Sequence, residues 1–377
     1  MNFNRPLSLR QTGFSLMELM IAITIGFIVV AGVGYLYLGS RQTFNAQDSL
    51  STIQENSRFA LDTMSRDIRM TGYMGCGNLA VYAASPNTLG NITSAPAIAP
   101  VTPATALQVF PGGAGWTAPA GVTWVAGDVL RVSGVDPSGV SLAGPVLPSS
   151  SAAIHISGNP GNFQANNVLL ISDCTNAVIF VATSVSNSSG MVTIAHASGN
   201  IVPYLSPPPP PAPPPPSGGH TFSPPAPGTP GAQVYAFRQA DYFVGCPTAS
   251  WSGGQCGVPL ALYQVINNGI PQPLVDNVEN MGFLLGMNAS VPPAPPVVGS
   301  YQSPAAVAAA GTWAKVLTVQ VHLLMAGGPA NEGRSNVAVA SQPYSFIING
   351  VTYATYPADR RMRQDATATI ALRNRLP

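Results

Sequence analysis

At 377 residues the chain is long enough to bury a sizeable hydrophobic core without help from a metal. Only 8% of its residues are charged, against about 25% in an average soluble domain, while Gly and Pro number 38 each, a profile of an exported, loop-rich chain and not of a cytosolic enzyme. A formal net charge of +1 and four scattered histidines, His155, His196, His220 and His322, give no basic or acidic balance that points to nucleic acid or to acidic ligands.

Residues 1–13 are polar and carry Arg5 and Arg10 as their only charged side chains. From Leu19 to Leu38 no charge occurs, and as a helix that run is about 30 Å long, the hydrocarbon thickness of a bilayer. Arginines ahead of it hold the N-terminus in the cytoplasm and send the rest of the chain across the inner membrane. A cleaved secretory signal is the alternative. It fits less well, because the apolar run exceeds an ordinary signal core and Leu38-Gly39-Ser40 is a poor cleavage site.

The helical pattern continues past Leu38 but becomes amphipathic. Leu50, Ile53, Leu61, Met64 and Ile68 recur near helical spacing, with Asp48, Glu55, Arg58, Asp62 and Arg66 on other faces. Arg58 with Asp62, and Asp62 with Arg66, stand four apart and are placed to pair. No proline interrupts Phe14 to Met70, and Thr71-Gly72 is the first strong stop. One helix over that stretch is about 85 Å long, apolar all round in its first half and packed on a globular head in its second.

Beyond Gly72 the period becomes two. Leu317, Val319, Val321 and Leu323 alternate with polar residues, as do Ala366, Ala368, Ile370 and Leu372. Trp124–Val132, Val168–Ile171, Ala177–Val185, Met191–Ala195, Tyr235–Val244 and Leu260–Val265 are further strand candidates between Gly, Pro, Asn and Ser. The expected class is α+β, a long N-terminal helix packed on a mainly antiparallel β head. Between Pro203 and Pro230 lies a low-complexity tract with the proline runs 207–211 and 213–216, barred from a sheet interior and suited to a surface loop or spacer. The chain thus divides into a leader at 1–13, a membrane helix at 14–38, an amphipathic helix at 39–72, a first β-rich part at 73–202, the proline-rich segment at 203–232 and a second β-rich part at 233–377.

Four cysteines, Cys76, Cys174, Cys246 and Cys256, suit two disulfides, with three connectivities. Cys246 with Cys256 is favoured because they bracket a short Gly, Pro and Ser-rich segment, and Cys76 with Cys174 follows by elimination. No cysteine or histidine pair stands at metal-ligand spacing, so neither metal nor cofactor is expected.

Glu18 is the oddity, one carboxylate at the start of a segment otherwise fit for lipid. Near the helix end its cost is reduced, since the first turn's dipole favours negative charge. Gly13-Phe14-Ser15-Leu16-Met17-Glu18, behind a basic leader and ahead of an uncharged run, resembles the class III signal of type IV pilins and pseudopilins. The resemblance implies a prepilin peptidase that cuts between Gly13 and Phe14 and methylates Phe14, and a Glu18 that meets the terminal amine of a neighbouring subunit. Asn56-Ser57-Arg58-Phe59-Ala60-Leu61, Asp67-Ile68-Arg69 and Gly72-Tyr73-Met74-Gly75-Cys76 resemble the segment after the membrane helix in PilW-type minor pilins. Ser172-Asp173-Cys174, Asp241-Tyr242-Phe243-Val244-Gly245, Val278-Glu279-Asn280-Met281 and Leu372-Arg373-Asn374-Arg375 resemble the same subfamily. What this implies is a pilin-like fold and a minor subunit that primes pilus assembly near the tip. Its implied partners are the major pilin, other minor pilins and a tip adhesin, and its implied route runs from the inner membrane, head in the periplasm, to the cell-surface pilus.

Other classes find less support. No nucleophile elbow, phosphate loop, zinc helix or EF-hand run occurs, so no catalytic residue is assigned. Arg360, Arg361, Arg363, Arg373 and Arg375 cluster near the C-terminus, but Asp359 and Asp365 dilute them without interleaved aromatics, and no nucleic acid is expected. A minor pseudopilin of a type II secretion system shares the same N-terminus and is the alternative function.

Overall fold

A computed structural model describes residues 15–75, 77–78, 89–90, 98, 101–144, 147–148, 153–174, 177–188, 190–196, 221–291, 294–327, 342–359 and 361–375. The first element is α1 (Leu16–Met70), an uninterrupted helix of 55 residues, about 80 Å long. The strands that build the head are β1 (Leu107–Phe110), β2 (Val122–Val135), β3 (Ile154–Ile156), β4 (Val168–Ser172), β5 (Ala177–Ser188), β6 (Met191–His196) and β7 (Gln233–Pro247). There follow β8 (Ala261–Ile266), β9 (Gln272–Asp276), β10 (Val278–Asn288), β11 (Val298–Gln302), the short helix α2 (Pro304–Ala310), β12 (Val316–Ala326), β13 (Tyr344–Ile348), β14 (Val351–Tyr356) and β15 (Arg363–Ala371).

These strands form two main sheets. The larger runs β9-β8-β7-β4-β5-β6-β3, with β2 on the far side of β7 and β1 on β2. The smaller runs β11-β10-β12-β15, and β13 with β14 makes a separate hairpin. Nearly all pairings are antiparallel, so the class is α+β as the pattern predicts. The proline runs lie outside the described residues, yet β7, after the tract, pairs with β2 and β4, before it. Chain from both sides of the tract therefore builds one sheet.

Parity along the strands explains the burial. In β4 and β5, Leu169, Ile171, Val178 and Phe180 face one apolar cluster, while Val168, Leu170, Ile179 and Val181 face another on the opposite side. Both faces are covered, so these strands read as unbroken apolar runs. The central core is a third cluster, where Leu130 and Val132 of β2, Ala240 and Tyr242 of β7, Phe283 and Leu285 of β10 and Val319 and Val321 of β12 meet Ile53, Ala60, Met64 and Ile68 of α1. The two sheets approach closely at Gly127, where a Cβ would stand 2.4 Å from the Met281 carbonyl oxygen. Its φ of +77° also favours glycine, so a side chain there pushes the sheets apart.

The sequence pattern overlooks β10. Its inward residues face the α1 core while Leu284 packs on Phe346 and Ile348 of the β13–β14 hairpin. Burial on both sides erases the alternation that marks a strand. The hairpin did carry a signal in Asn349-Gly350, both at positive φ, flanked by β-forming residues. It also alters β12, whose Leu324 is buried beneath it, so the expected single buried face holds only for the first part of that strand.

Asp128 of β2 is almost fully buried. Burial pushes its carboxyl up to about 6, against the pull of the Gly112 backbone N–H that donates to Oδ1 at 2.9 Å. The folded chain holds this proton more tightly than the unfolded chain does. Stability therefore falls as pH rises from about 4 to about 6, by about 2–3 kcal/mol in all. Melting curves of the full chain in detergent over that range should show the slope, and Asp128→Asn should flatten it; equal slopes for both chains would remove Asp128 as its source.

Candidate functional site

The residues that carry the processing motif converge on the start of α1. Gly13 and Phe14 lie outside the described residues, which begin at Ser15. Ser15 is the helix N-cap, with extended backbone, and its Oγ accepts from the Met17 N–H at 3.4 Å. Glu18, three residues on, accepts the Ser15 N–H on Oε2 at 3.3 Å. This is a capping box, which satisfies donors that the first helical turn leaves open. The carboxylate also lies at the positive end of the helix dipole. Among the described residues its second oxygen, Oε1, has no hydrogen-bond partner.

From Leu16 to Leu38 every side chain is exposed, and no other part of the described chain covers them. α1 is long and apolar enough to cross a membrane. Thr24, the one hydroxyl in its middle, donates to the carbonyls of Ile21 at 2.8 Å and Met20 at 3.0 Å, so it brings no unmet polar group into the apolar stretch. Tyr35 and Tyr37 stand at the end of the run, where aromatic side chains with a polar tip mark a membrane boundary. Neither tyrosine was singled out from the sequence, although their position next to Gly39-Ser40-Arg41 was a readable signal.

The other end of α1 is bolted to the head. Ile53, Ala60, Met64 and Ile68 are buried, whereas Leu50 and Leu61 are half-buried. Leu61 packs against the same core from its edge, and Ala60, which the spacing did not single out, is fully buried beside it. Of the two predicted surface ion pairs only Asp62 with Arg66 closes, at 3.6 Å and highly exposed, where such a pair contributes little. The stronger polar link is Asp67. Its Oδ2 accepts from the Tyr242 hydroxyl at 2.7 Å and the Gln264 side-chain amide at 3.1 Å, with Arg238 at 3.5 Å. Tyr242 is fully buried, and burial first, then the Asp67 carboxylate, push its phenol far above the usual range. At the last turn Asn374 donates to the carbonyl oxygens of Met70 at 3.5 Å and Thr71 at 3.2 Å. A Cβ on Gly134 would meet the Met70 carbonyl oxygen at 2.6 Å, so glycine is what lets β2 run against the helix end.

Several short segments singled out in sequence thus meet in space. Asp67 from one contacts Tyr242 from another, and Asn374 near the C-terminus holds the end of the helix. Asp241 takes a two-pronged ion pair from Arg131, at 2.6 and 2.7 Å, and the Trp116 indole N–H at 2.7 Å. Glu279 is buried between Arg361 and Arg363, and Arg363 also binds Asp359. Two of the clustered arginines are therefore occupied inside the head; Arg360 lies outside the described residues.

Cys246 and Cys256 form a disulfide across a turn that includes the strand pair Trp251–Ser252 and Gln255–Cys256. Cys174 is also disulfide-bonded. Cys76, its expected partner, lies outside the described residues.

Residues 261–374 match the family model of the type IV pilus-assembly protein W, and residues 8–34 match the prokaryotic N-terminal methylation motif. Both are models of pilus and pilin features and neither is an enzyme family. No curated protein and no solved structure matches the chain.

The Asp67 junction is open to a direct test. Tyr242→Phe removes the buried hydroxyl and should lower the stability of the head by about 1–2 kcal/mol, read as an earlier melting transition of the full chain in detergent. An unchanged transition would mean that the Tyr242 hydroxyl contributes nothing to holding α1 on the head.

Proposed function

We propose that the chain, whose residues 261–374 match the type IV pilus-assembly protein W model and whose residues 8–34 match the N-terminal methylation motif, is a type IV pilus-related, pilin-like minor pilin that helps initiate pilus assembly and enters the fibre near its tip. The observation that carries this reading is α1 itself, apolar and uncovered from Leu16 to Leu38 yet headed by the carboxylate of Glu18. Such a surface needs lipid or like helices around it.

Arg5 and Arg10 keep the leader in the cytoplasm, and the head folds in the periplasm, where its disulfides form. A Cys76–Cys174 bond belongs to this proposal and ties the segment after α1 to the turn between β4 and β5. A prepilin peptidase then cuts between Gly13 and Phe14 and methylates the Phe14 amine. Glu18 keeps its own helix capped with Oε2 while Oε1 accepts the ammonium of a neighbouring subunit. In the poorly solvated fibre core that pair is stronger than in water, and the same desolvation makes an unpaired carboxylate costly, so docking depends on correct registry.

Deletion of the gene tests the function directly. Loss of surface pili and of twitching is expected, whereas intact pili with failed release of secreted proteins would assign the chain to a type II secretion system instead.

Two substitutions separate processing from docking. Gly13→Val should leave an uncut precursor, because the peptidase must approach the backbone at the scissile bond; mass spectrometry of the N-terminus reads it, and a methylated Phe14 start in that variant would refute the need for glycine before the scissile bond. Glu18→Ala should be cut normally but reach sheared fibres at a tenth of the wild-type level or less. Wild-type incorporation would remove Glu18 from docking.

A further inference from the structure

The smaller sheet ends in β15, which pairs with β12 in continuous register from Arg363 opposite Ala326 to Ala371 opposite Thr318. No described strand pairs with its other edge. Among the described residues, the N–H and C=O groups that point away from β12 find no hydrogen-bond partner. Sheet edges of this kind recruit further strands, and proteins ordinarily guard them with proline, lysine, bulges or brevity.

The other edges of the two main sheets are guarded. β9 contains Pro273 and a register shift in its pairing, and the pairing of β11 is also shifted. β1 has four residues and runs into Pro111, and β3 has three. β15 has nine residues without proline, glycine, lysine or register shift. Its two charged side chains are engaged elsewhere, Arg363 with Glu279 and Asp359, and Asp365 with His322 at 2.9 Å. What it presents outward is Gln364, Thr367, Thr369 and Ala371, all small or neutral.

We propose that the free edge of β15 is a docking strand, on which an extended, uncharged segment of an adjacent, different pilus subunit pairs and adds a fifth strand to the smaller sheet. This rests on the minor-pilin reading above. The occupant follows from hydrogen-bond complementarity, since a row of alternating backbone donors and acceptors is matched by another extended backbone, and from position. Ala366 and Ala368 of β15 pack in the core with α1, so the edge flanks the helix that bundles with neighbours in the fibre.

A second copy of this chain fits less well. Gly327 links the two elements at one end, approaching Ser49 and Ile53 of α1 while its N–H donates to the Met362 carbonyl just before β15. Asn374 links Met70 and Thr71 to the chain just after β15. α1 and β15 therefore run in the same direction. Antiparallel pairing of two β15 strands would point the two membrane anchors in opposite directions, which one membrane does not permit.

The test uses the full-length chain in piliated cells, with the photo-crosslinking residue p-benzoyl-phenylalanine placed at Thr367 or Thr369, and at Val351 beside the turn of the β13–β14 hairpin, off the β15 edge, as control. Irradiation should join both β15 positions, and not Val351, to another pilin in sheared fibres. Thr369→Lys, which adds a guarding charge to the edge, should cut the Thr367 adduct at least five-fold with processing and melting unchanged. A chain that is cut and present in fibres but gives no β15 adduct, gives equal adducts at Val351, or joins only to its own copy overturns the docking strand and leaves the minor-pilin reading intact. A chain that is never cut or never reaches fibres overturns the minor-pilin reading itself.

Discussion

An apolar helix that its own chain does not cover is the constraint on which the molecule depends. Between Leu16 and Leu38 no side chain is even half-buried, and leaving each large one in water forfeits about 1.5–3 kcal/mol. The described chain does not supply that cover, because the head holds the helix only from about Ser49 onward. On the minor-pilin reading proposed above, lipid supplies it first and other helices afterwards. The helix start is built for both settings, since the capping box meets its backbone donors locally and leaves one oxygen of Glu18 uncommitted.

The head solves the complementary problem of gripping a long lever by one end. Ile53, Ala60, Met64 and Ile68 set an apolar stripe between the inner faces of two sheets. Asp67 adds a directional lock, because its carboxylate is held by Tyr242 and Gln264 on strands of the larger sheet. Asn374 and the close approach at Gly134 fix the last turn from two further directions. Any pull on the membrane half is thus delivered to the centre of the head, and not to a loose terminal segment.

Charge in this protein is scarce, and its tightest ion pairs lie inside the head. Arg131 with Asp241, and Arg361 and Arg363 with Glu279, are largely withdrawn from solvent. Breaking such a pair leaves a buried charge without compensation, at a cost of about 3–5 kcal/mol. Where the exterior of the head is locally neutral, it is recognised by shape and backbone hydrogen bonding more than by electrostatic steering. β15, with its threonines, alanines and open ladder edge, is the clearest instance.

The linear sequence determined what depends on near neighbours. An unbroken helix through Met70, an uncharged first half, a carboxylate at the N-terminal turn, the alternating strands β12 and β15 and the Cys246–Cys256 link all follow from local composition, spacing and turn chemistry. Tertiary structure alone decided what depends on meetings between distant segments. β10 lost its alternation because both its faces are covered, and Arg361 and Arg363 became internal only because Glu279, some eighty residues earlier, lies opposite them. Periodicity records one buried face at a time, and it is silent wherever a second layer arrives from elsewhere in the chain.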